Sequence, residues 1–171
     1  MPSDAGNDVI LSNALKFYSK SDNYHKLRKI INHKPGKNYE NGKVSLRLID
    51  WFITNYTKEN KTSIKKKDGV FIIHEKYKQM IKSYHKKKFD PFNRNCEIIT
   101  IKLDKISNNS LETSLCQMQF IKWIIEYEIL DYIIEHQDAI HTDLTLKHKS
   151  RKSKSDDSSS GGISEELTSV E

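Results

Sequence analysis

Apolar residues in this chain fall mainly at helical spacing, with short β-branched runs between them. After a polar start at Met1 to Asn7, Ile10, Leu11, Leu15 and Tyr18 predict a short helix from about Asp8. Tyr24, Leu27, Ile30 and Ile31 predict a second, with Ser21 or Asp22 as its cap. Pro35, Gly36 and the Asn41–Gly42 pair make His33–Gly42 a loop. Ser45 is an N-cap for a third helix, in which Leu48, Ile49, Phe52, Ile53 and Tyr56 share one face. Asp68–Gly69 between Thr62–Lys66 and Val70–Ile73 predicts a hairpin with a type I′ turn. Tyr77, Met80, Ile81 and Tyr84 sit at i, i+3, i+4 and i+7 of a helix over about Glu75 to Lys87. Pro91 ends any helix before Asp90.

Glu97–Leu103 is β-branched and reads as a strand, and Ser107–Ser110 as a loop. Ser114 and Gln117 form a capping box at the head of the longest helical run, which reaches His136. Together these elements predict a single, mostly helical α+β domain over residues 8–146. Its small antiparallel sheet, built from the 62–73 hairpin and the 97–103 strand, packs on the central 114–136 helix. An all-helical architecture is the alternative if the hairpin does not form. Residues 147–171 carry a basic cluster, then acids and a Ser/Gly run, and predict a disordered tail.

Charge changes the picture from fold to partner. The net charge of +6 hides a split: Lys61 to Arg94 holds eleven basic and three acidic residues, while Glu112 to Asp143 holds seven acids against Lys122 alone. Such a split speaks about partners and association, not about fold. A polyanion is therefore the first partner to expect. The candidate phosphate contacts are Lys66 and Lys67 at the hairpin tip, Lys78, Lys82 and Lys86 along one helix face, Lys87 and Lys88 at its end, and Arg94 beyond. Tyr84, His85, Phe89 and Phe92 lie near enough in sequence to stack on bases, although Tyr77 and Tyr84 read first as core. The rival is protein association or self-association, pairing the lysine face with Glu128, Asp131 and Glu135 at i, i+3 and i+7.

Catalytic signatures do not emerge. The seven histidines show no i, i+4 pair and no H-E-x-x-H, and the chain has no GxGxxG, Walker loop or GxSxG. The expectation is a non-enzyme without metal or cofactor. Cys96 and Cys116 have neither zinc nor CxxC redox spacing, so the reading is two reduced thiols of a cytosolic-type protein, with a disulfide between them left open. Asp50 and the Asp90–Arg94 turn read as half-buried polar anchors, with Arg94 as an alternative phosphate or carboxylate contact. No secretory leader or membrane-length apolar run (roughly 18 residues) is visible, and no membrane partner is expected. The KHKSRKSK cluster has the composition of a nuclear-localisation or nucleic-acid tail.

Three strings together, SLRLIDWFITNYTKEN, KYKQMIKSYHKKKFDPFNR and TSLCQMQFIKWIIEYEILDYIIEH, resemble an uncharacterised protein family of nucleocytoplasmic large DNA viruses, the giant viruses of amoebae and algae. The resemblance covers roughly residues 24–145 and brings no catalytic residues with it. It implies a protein of the host-cell viral factory or the virion, with a role around the viral genome or capsid. The expected function is a nucleic-acid-associated accessory protein that binds the backbone without reading sequence. The alternative is a virion structural or protein-interaction module with complementary charged faces.

Overall fold

A computed structural model describes residues 5–33, 43–102 and 110–156. Its axis is helix α7 (Leu115–Glu126). Ser114 Oγ accepts the Gln117 amide at 3.2 Å, and Gln117 Oε1 accepts the Ser114 amide at 3.2 Å, so the predicted capping box forms. Met118, Phe120, Ile121, Trp123 and Ile124 are buried on several sides of α7, as expected of a helix enclosed by others. Around it stand α1 (Ala5–Tyr18), α2 (Ser21–Ile31), α6 (Lys86–Phe89) and α8 (Ile129–Glu135). Tyr18 donates its hydroxyl to the Met118 carbonyl at 2.6 Å, fastening α1 to the axis. Lys20, not Ser21 or Asp22, occupies the α2 N-cap position, and its side chain makes no capping bond.

Ser45 caps α3 (Leu46–Trp51) by accepting the Leu48 amide at 3.1 Å. The helix then widens into a π-helical turn, Phe52–Tyr56, before α4 (Thr57–Asn60). Thr54 and Thr57 donate back to the Asp50 and Ile53 carbonyls, at 2.7 and 2.8 Å, the side-chain competition that disturbs helical ladders. Lys61, at φ 46°, ends α4 and turns the chain into the hairpin β1 (Ser63–Lys66) and β2 (Gly69–Ile72). Lys66 pairs with Gly69, so the two-residue turn is Lys67–Asp68, one position earlier than predicted. Type I′ requires positive φ at both central residues, and neither has it; Gly69 follows the turn at φ 134°.

Four further predictions change. The 97–103 strand forms as β3 (Ile98–Lys102), but it pairs with an unforeseen β4 (Ser110–Ser114), leaving two separate two-stranded sheets. The predicted 75–87 helix, α5 (Ile73–Tyr84), stops at His85, whose φ of 60° redirects the chain into α6. Similarly, Glu128 at φ 60° divides the long 114–136 run into α7 and α8. Then α9 (Gln137–Asp156) continues as helix through the first ten residues of the expected tail. Residues 157–171, most of the His33–Gly42 loop and most of the Ser107–Ser110 loop lie outside the described residues. The α+β class and single-domain architecture are as predicted.

The core concentrates aromatics where α5, α6 and α7 meet. Phe89 lies 5.5 Å from Phe120 and 5.6 Å from Trp123, both edge-on, and Tyr77 is 6.2 Å from Trp123. Tyr77 and Phe89 therefore belong to the core, and Tyr84 stacks on Phe89 at its edge. Cys96 and Cys116 form a disulfide at the foot of the β3–β4 hairpin, correcting the reduced-thiol reading. Their 20-residue separation hides a proximity that the hairpin creates.

Candidate polyanion interface

The predicted phosphate contacts sit in several different settings. Lys66 Nζ is 3.5 Å from Glu128 and 5.2 Å from the Tyr127 ring centre, so the left-handed break before α8 supplies it with an internal acid. Lys67 is exposed in the hairpin turn. Lys78 pairs with Glu75 at 2.9 Å, and hydrogen bonding to Lys78 is the main reason the Glu75 carboxyl is held below its usual range. Lys82 is exposed on α5, but Lys86 leaves the Lys78/Lys82 row because α5 ends at Tyr84. Lys87 and Lys88, on α6, line a small cavity beside the disulfide. Arg94 lines a separate cleft with Phe92, Ile98 and Gln117.

A more concentrated arrangement involves lysines that the local charge run did not point to. Between α1 and the α5–α7 surface lies a cleft of about 580 Å³. Lys16 and Lys20 flank it on one side, Lys122 rises from its α7 floor, and Phe17, Tyr84 and Tyr127 contribute its aromatic walls. The smaller cavity, about 230 Å³, shares Ile10 and Gln119 with it, so the two lie side by side along α1. Five lysines and two glutamates, Glu97 and Glu126, line the pair. Lys122 spends part of its charge on Glu126 at 2.7 Å and lies 5.3 Å from the Phe17 ring centre.

These residues converge because of where the helices end and pack. Lys16 lies in the last turn of α1 and Lys20 at the N-cap of α2, so the short α1–α2 connection holds both at one end of the cleft, while Ala14 and Tyr18 turn inward. Lys122 is the one cation of α7, whose only other charge is Glu126 at its end, and its neighbours Ile121 and Trp123 are buried. That lone cation in a core helix was the available sequence signal for a groove. The dimensions fall within the roughly 300–1,000 Å³ of ligand-sized concavities.

The carboxylates form a second electrostatic centre. Burial, with help from the charge of Asp90, pushes the Asp50 carboxyl up from 3.8 to about 6. Burial and then the charges of Asp50 and Asp90 raise the Tyr77 hydroxyl to about 12. Asp90 Oδ1 accepts the Phe92 amide at 2.9 Å, the anchoring role expected of it. Among the described residues no group of three or more His, Cys, Asp or Glu is placed to hold a metal ion. No helix of the described residues is long and apolar enough to cross a membrane.

Residues 3–170 match a family of unknown function, DUF7197. The chain is also 35% identical over 165 residues to the uncharacterised protein L507 of Acanthamoeba polyphaga mimivirus. That alignment covers 92% of this chain and 61% of the mimivirus protein, so the chain spans less than two thirds of its relative's length. The giant-virus resemblance thus holds, and it extends to both sides of the 24–145 segment first identified. No solved structure matches.

Proposed function

The chain belongs to the DUF7197 family of unknown function, and we propose that it is a non-enzymatic accessory protein of a large DNA virus that binds nucleic-acid backbone in the α1–α7 groove. The observation that carries this reading is the gathering of lysines from three distant segments on two adjoining concavities: Lys16/Lys20 and Lys122 on the larger, which has aromatic walls, and Lys87/Lys88 on the smaller. Lysines track phosphates, and tyrosine or phenylalanine edges give bases a sequence-tolerant surface. Lys82, Lys86 and Arg94 add positive potential outside the groove.

Fluorescence anisotropy with a labelled single strand and a duplex, titrated with salt, tests the proposal. Binding should weaken steeply with salt and fall about 30- to 100-fold in Lys16→Glu/Lys20→Glu/Lys87→Glu. Undetectable binding of both oligonucleotides at low salt overturns it.

A second reading, a protein-interaction module, is favoured by one observation. Phe92 and Ile98 are 50% and 62% exposed around the Arg94 cleft, an apolar pair at a polar rim. Sedimentation showing one monomeric species at every concentration, unchanged by Phe92→Ser/Ile98→Ser, argues against self-association there. Pairing of Glu128 with Lys66 inside the molecule draws one acid out of the 128/131/135 face invoked for association between subunits.

A further inference from the structure

We propose that Cys96–Cys116 is an exchangeable disulfide, reduced by a dithiol that reaches Cys96 through the smaller cavity. This does not depend on the nucleic-acid reading. Three features separate the bond from an inert staple. Both cysteines line the cavity of about 230 Å³, so the bond has an entry path. Cys116 is 1% exposed whereas Cys96 is half-buried, so an incoming thiolate meets Cys96 first. The two sulfurs also have opposite polar surroundings. Cys96 Sγ lies 3.0 Å from the Cys116 amide, in the first turn of α7, where an N–H stabilises negative charge on sulfur. Cys116 Sγ lies 3.4 Å from the Lys87 carbonyl, which favours a protonated thiol there as soon as the bond opens.

A thiolate of the dithiol attacks Cys96 Sγ, the Cys96–Cys116 bond breaks, and its electron pair leaves on Cys116 Sγ, which takes up a proton from solvent and, as a thiol, hydrogen-bonds to the Lys87 carbonyl. The partner's second thiolate then attacks the partner sulfur bound to Cys96, releasing Cys96 as a thiolate held by the Cys116 amide. The dithiol leaves oxidised to its disulfide, and the protein pair is reduced by two electrons. Nearby structure survives the opening, because Leu115 N–H still donates to the Glu97 carbonyl at 2.9 Å and the β3–β4 ladder stays paired from Ile98 to Lys102.

The test uses the intact chain without denaturant. After incubation with dithiothreitol, pulse alkylation and peptide mapping should show complete reduction with unchanged circular dichroism. Cys96 should label at least about ten-fold faster than Cys116, with a midpoint below the roughly 8.5 of a free thiol. In Cys116→Ser, incubation with glutathione disulfide should leave the glutathione adduct on Cys96. A bond that yields only when guanidinium unfolds the chain, or equal labelling of the two cysteines, overturns the proposal.

Discussion

The hairpin–α5 surface and the α1–α7 groove are both rich in lysine, but they use it differently. On the first, the lysines are close together in sequence and partly answered by their own molecule: Lys66 meets Glu128, Lys78 meets Glu75, and Lys76 lies 5.6 Å from the Tyr127 ring centre. In the groove the lysines come from three separate segments, yet they line two adjoining concavities. Density of charge along a chain is therefore a poor guide to density in space. What counts is the acid each cation finds after folding, and whether the surface beneath is concave. Exposed pairs are each worth only about 0.2–1 kcal/mol, but an internal acid lowers the potential an incoming phosphate meets.

Four experiments probe this contrast, beginning with the floor. Trp123 is 1% exposed beneath the groove, whereas Val70 on the hairpin is 64% exposed. Trp123→Ala should cost about 3–5 kcal/mol in urea unfolding and Val70→Ala no more than about 0.5 kcal/mol. Similar losses would mean that the groove floor is not core. Next come the charges. Reversing Lys16, Lys20 and Lys87 to Glu should weaken oligonucleotide binding about 30- to 100-fold at low salt, and reversing Lys65, Lys67 and Lys78 only a few-fold. Equal effects in anisotropy titrations would erase the distinction between the two surfaces.

The third concerns the wall behind α5. Because Asp50 holds its proton more tightly in the folded chain, its contribution to stability is fully present below about 3.8 and disappears as pH rises through about 6. Asp50→Asn should therefore stabilise the protein by roughly 1–2 kcal/mol at pH 7.5, allowing for partial solvent screening, with little effect near pH 4. Thermal melts at the two pH values check the sign, and a variant less stable than wild type at pH 7.5 would contradict it. Smallest is Glu128→Gln, which removes the acid facing Lys66. It should cost no more than about 0.5–1 kcal/mol, and melts in high salt should narrow the gap to wild type.

Much of the fold could be read directly because local chemistry and tertiary structure agree. Ser45 and Ser114 cap as their side chains suggest, and the apolar spacing of Leu48–Phe52 and Met118–Ile125 marks buried faces. The misses occur where long-range packing overrides local preference. His85 and Glu128 adopt positive φ without being glycine, so nothing nearby announces the breaks that end α5 and separate α7 from α8. β4, Ser-Leu-Glu-Thr-Ser, has little strand character of its own and exists because β3 offers it a ladder. The start of the expected tail stays helical partly because Trp51 holds it: Lys147 and Arg151 lie 5.9 and 5.7 Å from its ring centre, with His148 tilted against it. Of the candidate site, Lys87 and Lys88 were legible from their charge run. Lys16 and Lys20 were not, since each is an ordinary surface cation until α1 is laid against α7, and Lys122 stood out only as the lone cation of a core helix.

The bond from Tyr18 to the Met118 carbonyl spans 100 residues, and it imposes an order on biosynthesis. As the chain leaves the ribosome, α1 and α2 emerge with only each other to pack against until α7 follows. Their partner is the last part of the core to be translated but for α8 and α9. The N-terminal third must wait as loosely structured chain, and the domain closes late, in one step, around a helix that arrives already capped. A nascent chain stalled before residue 115 should accordingly be captured by chaperones, and one extended past α8 released.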